Sequence, residues 1–233
     1  MPAEPPPGAS WRVQVNLIDR HLAELFEHLR VNCVIDVGAN VGSFGAGIRA
    51  NGFTGPIASF EPASNDFSAL ERRSRSDPLW RSYPFALGSV NEIADFNVTS
   101  ESVFNSFLKP NDFAAEMFPG ETQVERTERV EVRRLDDIFA EITRDVAEPR
   151  VYLKLDTQGW DLEVLEGAKA SLDHVVAFQS EVSVVPIYGN MSTFTTSIER
   201  FDELGFALSG LFPVNMTATF EVIEFDCVVV RKQ

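Results

Sequence analysis

The chain has little with which to build disulfides, bind zinc or grip a polyanion. It carries two cysteines and three histidines in 233 residues. Cys33 and Cys227 each sit inside an apolar run, where a reduced thiol behaves as a small hydrophobe. Their number and spacing make neither a disulfide framework nor a zinc set. Twenty Lys and Arg stand against 35 Asp and Glu, for a formal charge of −15. Such a chain lacks the clustered cations that displace counterions from nucleic acid, and an anionic membrane surface would repel it. No apolar run approaches the roughly 20 residues of a membrane span. The opening Met1-Pro2-Ala3-Glu4-Pro5-Pro6-Pro7-Gly8 has no basic stretch followed by an apolar one, so it does not read as a secretory signal. These absences predict a reduced, cytoplasmic protein with no nucleic-acid partner and no membrane span.

What is present suits one domain of generous size. Apolar residues make up 44% of the chain and charged residues 24%, which allows a sizeable core. We read 1–10 as a flexible tail and 11–233 as a single domain with an insertion at about 93–133. Apolar residues at 17, 18, 22, 25, 26 and 29 have a helical period. Strands are expected at 33–37, 57–60, 83–87, 151–156 and 175–182, with helices at 42–51, 65–74, 135–142, 162–172 and 195–204. Ser64 is placed to cap the helix at 65–74. Strands at 206–211 and 221–230 close the chain. This alternation predicts an α/β fold: a mostly parallel sheet with helices on both faces and an antiparallel edge strand.

Between the strand-like runs 94–98 and 124–132 the alternation stops. Residues 99–121 contain the turn signals Lys109-Pro110-Asn111 and Phe118-Pro119-Gly120, together with Phe104, Phe107, Phe113 and Phe118. The segment reads either as a cover for a substrate or as an irregular loop tucked onto the core by its aromatics.

Ligands of doubly wound sheets bind beyond the carboxyl ends of the strands. Those ends are Asp36, Glu61, Leu87-Gly88, Asp156 and Glu181. After Asp36 comes Gly38-Ala39-Asn40-Val41-Gly42, a turn that lets backbone pass close to a ligand. A pyrophosphate-binding turn would read G-x-G-x-x-G and lead into a free helix N-terminus. Here Asn40 replaces the middle glycine, and Asp36 would repel phosphate. The turn therefore suits a cationic, phosphate-free nucleoside such as S-adenosylmethionine, with Glu61 accepting from the ribose hydroxyls.

Taken in order, Asp36-Val-Gly-Ala-Asn-Val-Gly42, Phe60-Glu61-Pro62, Ala86-Leu87-Gly88, Leu135-Asp136-Asp137, Lys154-Leu155-Asp156-Thr157-Gln158-Gly159 and Leu165-Glu166-Gly167-Ala168 resemble the FkbM family of methyltransferases. The resemblance implies a Rossmann-like, seven-stranded methyltransferase sheet and S-adenosylmethionine as cofactor. It also implies methyl transfer to a hydroxyl, typically of a sugar moiety or of a polyketide or glycolipid natural product. It assigns Asp36, Gly38, Asn40, Gly42, Glu61, Ala86 and Leu87 to the cofactor, and puts Asp156 at the junction of cofactor and acceptor. One position departs from the family pattern: Gln158 stands where Glu is usual, which leaves dependence on a divalent metal open.

An acceptor hydroxyl must give up its proton. Asp156 and Glu181 are the candidate bases, and Lys154, two residues before Asp156 on the same strand face, would orient that carboxylate. A structural ion pair for Lys154–Asp156, and a plain polar strand end for Glu181, are the competing readings. Asn105-Ser106 and the segment from Tyr188 to Met191 are substrate-side candidates. His21, His28 and His174 read as structural. The other functional readings are an NAD-dependent oxidoreductase, against which Asp36 and Asn40 speak, and a non-catalytic nucleotide-binding module of the same fold. Homo-oligomerisation is left open.

Overall fold

The computed structural model describes residues 11–12 and 16–232; the tail expected at 1–10 lies outside them. The elements run β1 (Trp11–Arg12), α1 (Asn16–His28), β2 (Cys33–Val37), α2 (Ser43–Ala50), β3 (Ile57–Phe60), α3 (Ser64–Ser74), β4 (Trp80–Tyr83), β5 (Ala86–Leu87) and β6 (Glu92–Thr99). They continue with α4 (Asp112–Met117), β7 (Val124–Arg133), α5 (Leu135–Ile142), β8 (Val151–Leu155), α6 (Asp161–Gly167), β9 (Val175–Ser183), α7 (Phe194–Glu203), β10 (Phe206–Met216) and β11 (Val222–Arg231).

The main sheet has the order β1-β10-β11-β9-β8-β2-β3-β4. Without the two-residue β1 it is the seven-stranded, mostly parallel sheet expected from the sequence. Strands β4, β3, β2, β8 and β9 run parallel. The antiparallel element is β11, held between β9 and β10.

Strands buried on both sides read as continuous apolar runs, and β2 and β8 are buried at every position. Ile35, Val37, Phe60, Leu153, Leu155 and Phe178 face one way, into a core shared with Leu135, Ile138 and Phe139 of α5, Val164 and Leu165 of α6, and Phe201 of α7. Val34, Ile57, Tyr152 and Val228 face the other way, against Ile18, Leu22 and Leu25 of α1, Ile48 of α2 and Leu70 of α3. Both cysteines are buried and free. Burial pushes the Cys33 thiol up to about 11 and the Cys227 thiol up to about 12. No helix among the described residues is long and apolar enough to cross a membrane.

Four local expectations need correction. The strand expected at 83–87 is two strands: β4 ends at Tyr83, and Ala86–Leu87 joins a separate sheet of order β5-β7-β6. Pro84 explains the break, since it has no N–H to extend the ladder. Ser64 does not cap α3. Ala63 is the cap residue, and Ser64 donates its hydroxyl and its N–H to Glu128. The insertion contains a helix, α4, capped by the Asn111 side chain, and at six residues too short to register as a period. Finally, β10 runs on to Met216, past Pro213, through two irregularities of register.

Candidate active site

Beyond the carboxyl ends of β2, β3, β8, β9 and β10, and the amino end of the antiparallel β11, lies a cavity of ≈ 350 Å³. One end is floored by the turn after β2. Gly38 there has φ +76°, and a Cβ on it would stand 2.0 Å from the Asp156 carbonyl oxygen, so only glycine fits. Every backbone N–H of the turn is already used within the fold. Gly38 and Ala39 donate to the Phe60 carbonyl and Gly42 to that of Ala39. Asn40 donates to Glu61 Oε2 (2.8 Å), and Val41 to the Asn40 side chain. None is left to cradle a phosphate.

Glu61 lines the cavity with one oxygen held by Asn40 and the other by the Ala63 N–H (2.8 Å). Burial pushes its pKa up to about 8 against the pull of those two bonds. Each carboxylate oxygen keeps a lone pair for a ligand hydroxyl.

Of the residues predicted to hold a cofactor, Gly38, Asn40, Glu61, Ala86, Leu87 and Asp156 line the cavity, whereas Asp36 and Gly42 are not among its lining residues. Asp36 alternates onto the α1 face of the sheet. Its Oδ2 accepts from the Ser59 hydroxyl (3.0 Å), which in turn accepts from Trp80 Nε1. Burial raises Asp36 to about 6. Gly42, at φ +81°, makes room for Leu70 and Trp80 instead, and the same indole fills the space beside Gly45.

At the other end, Lys154 Nζ donates to Asp156 Oδ2 (3.0 Å). Burial opposes the lysine's charge, but Asp156, Asp226 and Asp36 outweigh it and hold the ammonium protonated. The Lys154 side chain does not reach the cavity; it supports Asp156, which does. The Gln158 amide donates to Asp156 Oδ1 (3.1 Å) and to Glu181 Oε2 (2.6 Å). Its own carbonyl accepts from the Tyr188 hydroxyl (2.8 Å). Gln158 thus lies between two carboxylates and gives each a proton donor. Among the described residues, no group of three His, Cys, Asp or Glu is arranged to hold a metal ion. Burial, then Glu224, Asp156 and Asp226, raises Glu181 well above the ordinary carboxylate range.

The model of the methyltransferase FkbM domain matches residues 36–208. The chain belongs to the FkbM methyltransferase family. Among solved structures, the methyltransferase FkbM from Methylobacillus flagellatus KT is 16% identical with a TM-score of 0.52. The match covers 86% of this chain and 43% of that protein, so the chain spans less than half of its length. Aeropyrum pernix fibrillarin, solved with S-adenosyl-L-methionine natively bound, is 10% identical over 91% of this chain and 74% of its own, with a TM-score of 0.47. At 16% identity the likeness to the Methylobacillus protein concerns the fold alone. No curated protein matches the chain.

Within this FkbM domain, the segment between β6 and β7 lines the cavity and also packs by its aromatics. Ser102, Val103, Phe104, Asn105 and Phe107 face the space. Phe104 packs on Phe118, and Phe107 lies between Phe96 and Trp160. Polar bonds fasten it to both ends of the site: Asn40 Nδ2 to Ser102 Oγ (3.0 Å), the Ser106 hydroxyl to the Gln158 backbone carbonyl (2.7 Å), and Asn105 Nδ2 to Asp66 (3.0 Å). Asn105 thus lines the site, and Ser106 anchors the strap from behind.

Sequence reasoning missed Asn215 and Glu224, which complete the lining and lie outside the residues that the family model matches. Glu224 faces Asn215 across one ladder and Ser183 across the other. It accepts from Asn215 Nδ2 (2.9 Å) and from the Ser183 hydroxyl (2.8 Å). Asp161 was missed as well. Its carboxylate takes the Thr157 N–H and hydroxyl and the Ser180 hydroxyl, which pins the turn carrying Gln158.

Proposed function

We propose that the chain is an S-adenosylmethionine-dependent O-methyltransferase acting on a hydroxyl of a small molecule, of the sugar, polyketide or glycolipid type. One observation carries the reading: a single cavity joins the phosphate-averse turn and Glu61 to the proton-holding group Asp156–Gln158–Glu181.

The donor set fits the cofactor. Gly38 and Asn40 offer close backbone, Glu61 offers carboxylate lone pairs for a ribose diol, and Phe60, Ala86 and Leu87 offer apolar surface for a base. When bound, the cofactor supplies a methyl group on a cationic sulfur. The lining has no Lys, Arg or His, which suits a cation and disfavours the pyrophosphate of NAD.

The chain's own contribution is placement and proton transfer. Holding two reactants in line removes much of the entropic barrier, up to roughly 7–11 kcal/mol in favourable cases. Glu181 is the base in this reading: it lines the cavity, and its buried, acid-rich surroundings raise its hold on a proton. Gln158 fixes its Oε2 and leaves Oε1 for the acceptor hydroxyl.

Calorimetric titration of the full chain with S-adenosylhomocysteine and with NAD tests the reading. Binding of the first alone is expected, and binding of NAD alone would overturn it. Transfer of labelled methyl to a panel of hydroxyl compounds then tests the acceptor.

A further inference from the structure

We propose that the end of the cavity built by Asn215 and Glu224 receives a protonated amine of the acceptor, so that the substrate class is a hydroxyl compound that also carries an amine, an amino sugar being the simplest case. This deepens the methyl-transfer reading and rests on it.

Glu224 is almost wholly buried, yet it lines the cavity. Both its oxygens accept from fixed donors, Ser183 and Asn215, but burial outweighs them and holds the ligand-free acid up at about 7, so a facing cation is what would complete its ionisation. A buried anion is costly unless a cation faces it. No cation among the described residues does so: none lines the cavity, and the buried Lys154 is bound to Asp156. The counter-charge is therefore left for a ligand to bring.

The cofactor does not account for this position. Strands in a sheet are about 4.8 Å apart, so β11, three places from β2, stands about 14 Å from the strand that carries the glycine turn. The site is also shaped on purpose. Opposed register shifts at Pro213/Asn215 and Asn215/Met216 re-aim this stretch of β10 and bring the Asn215 amide onto Glu224. Phe96, Phe104 and Phe107 line the same cavity and keep its wall apolar, so a charge at Glu224 has little water to screen it.

The test saturates the full chain with S-adenosylhomocysteine and titrates three probes by calorimetry: a methyl aminodeoxyglucoside, its N-acetyl derivative and the matching uronic acid. The amine should bind at least tenfold tighter than the N-acetyl compound, and the uronic acid weakest. Glu224→Gln should abolish that preference while affinity for S-adenosylhomocysteine holds. Equal binding of amine and N-acetyl compound, or no binding of any probe to the product-bound protein, would overturn the proposal. So would an undiminished preference in the variant. The comparison on the unaltered protein decides the matter even if the variant is unstable. Failure of S-adenosylhomocysteine itself to bind would instead overturn the methyl-transfer reading beneath it.

Discussion

The backbone N–H of Asn40 is bound to the Glu61 carboxylate at 2.8 Å, which ties the turn after the first core strand to the end of the second. One side chain thus closes the turn against phosphate and offers its remaining lone pairs to the cavity. Glu61→Ala is expected to weaken S-adenosylhomocysteine binding by about 10- to 100-fold, the loss expected for two buried hydrogen bonds. Calorimetry checks this, and unchanged affinity would refute the assignment.

Gln158→Glu removes the donor that two carboxylates share and puts a third acid between them. We expect the variant to lose about 1–3 kcal/mol at neutral pH, since it strands two acceptors and sets a third carboxyl beside them. Mn²⁺ should restore much of that stability, because three facing carboxylates suit a divalent ion. Thermal denaturation with and without Mn²⁺ reads both effects. Stabilisation of the unaltered protein by Mn²⁺ would contradict the account.

The Tyr188 hydroxyl lies 2.8 Å from Gln158 Oε1 and 3.0 Å from the Phe104 carbonyl, and its single proton is shared between the two. Tyr188→Phe strands both acceptors and should cost about 1–3 kcal/mol in urea unfolding. Turnover should fall as well, because Gln158 loses its anchor. A variant as stable and active as the parent would show the hydroxyl to be idle.

Burial raises Asp36 to about 6, Glu224 to about 7 and Glu61 to about 8. Folding therefore increases their hold on protons. Their contribution is full below the ordinary carboxylate range and is lost as pH climbs through 6 to 8. Asp36 faces Lys154 and Asp156, Glu61 faces Asp66, and Glu224 faces Asp156 and Asp226. The melting temperature of the ligand-free protein should fall by several degrees between pH 5 and about pH 8. Glu61→Gln should flatten the upper part of that curve. A flat profile in the unaltered protein would contradict these assignments.

Much of the fold was legible because β2, β3, β8 and β9 are short apolar runs ending on polar residues, each followed by a turn. The same pattern exposed Gly38, Asn40, Glu61, Asp156 and Glu181 as candidates. Asp36 was harder to place, because strand alternation decides which face a terminal carboxylate takes, and it turned toward Ser59. Glu224 and Asn215 were not legible at all. They meet only through antiparallel pairing across an irregular register, and no local spacing encodes that. The strand break at Pro84 was readable in principle, since a proline lies at the point where β4 stops.

The tryptophan that fills the space beside Gly42 and Gly45 has a practical consequence. Trp80 packs against Gly42 and Gly45, where the glycine turn runs into α2, while Trp160 packs on Phe107 of the strap. Of the three tryptophans in the chain, these two therefore report on different parts of the site. With Trp11 and one or the other of them replaced by phenylalanine, emission would follow ligand arrival beside the glycine turn and changes in the strap as separate signals, without any attached dye.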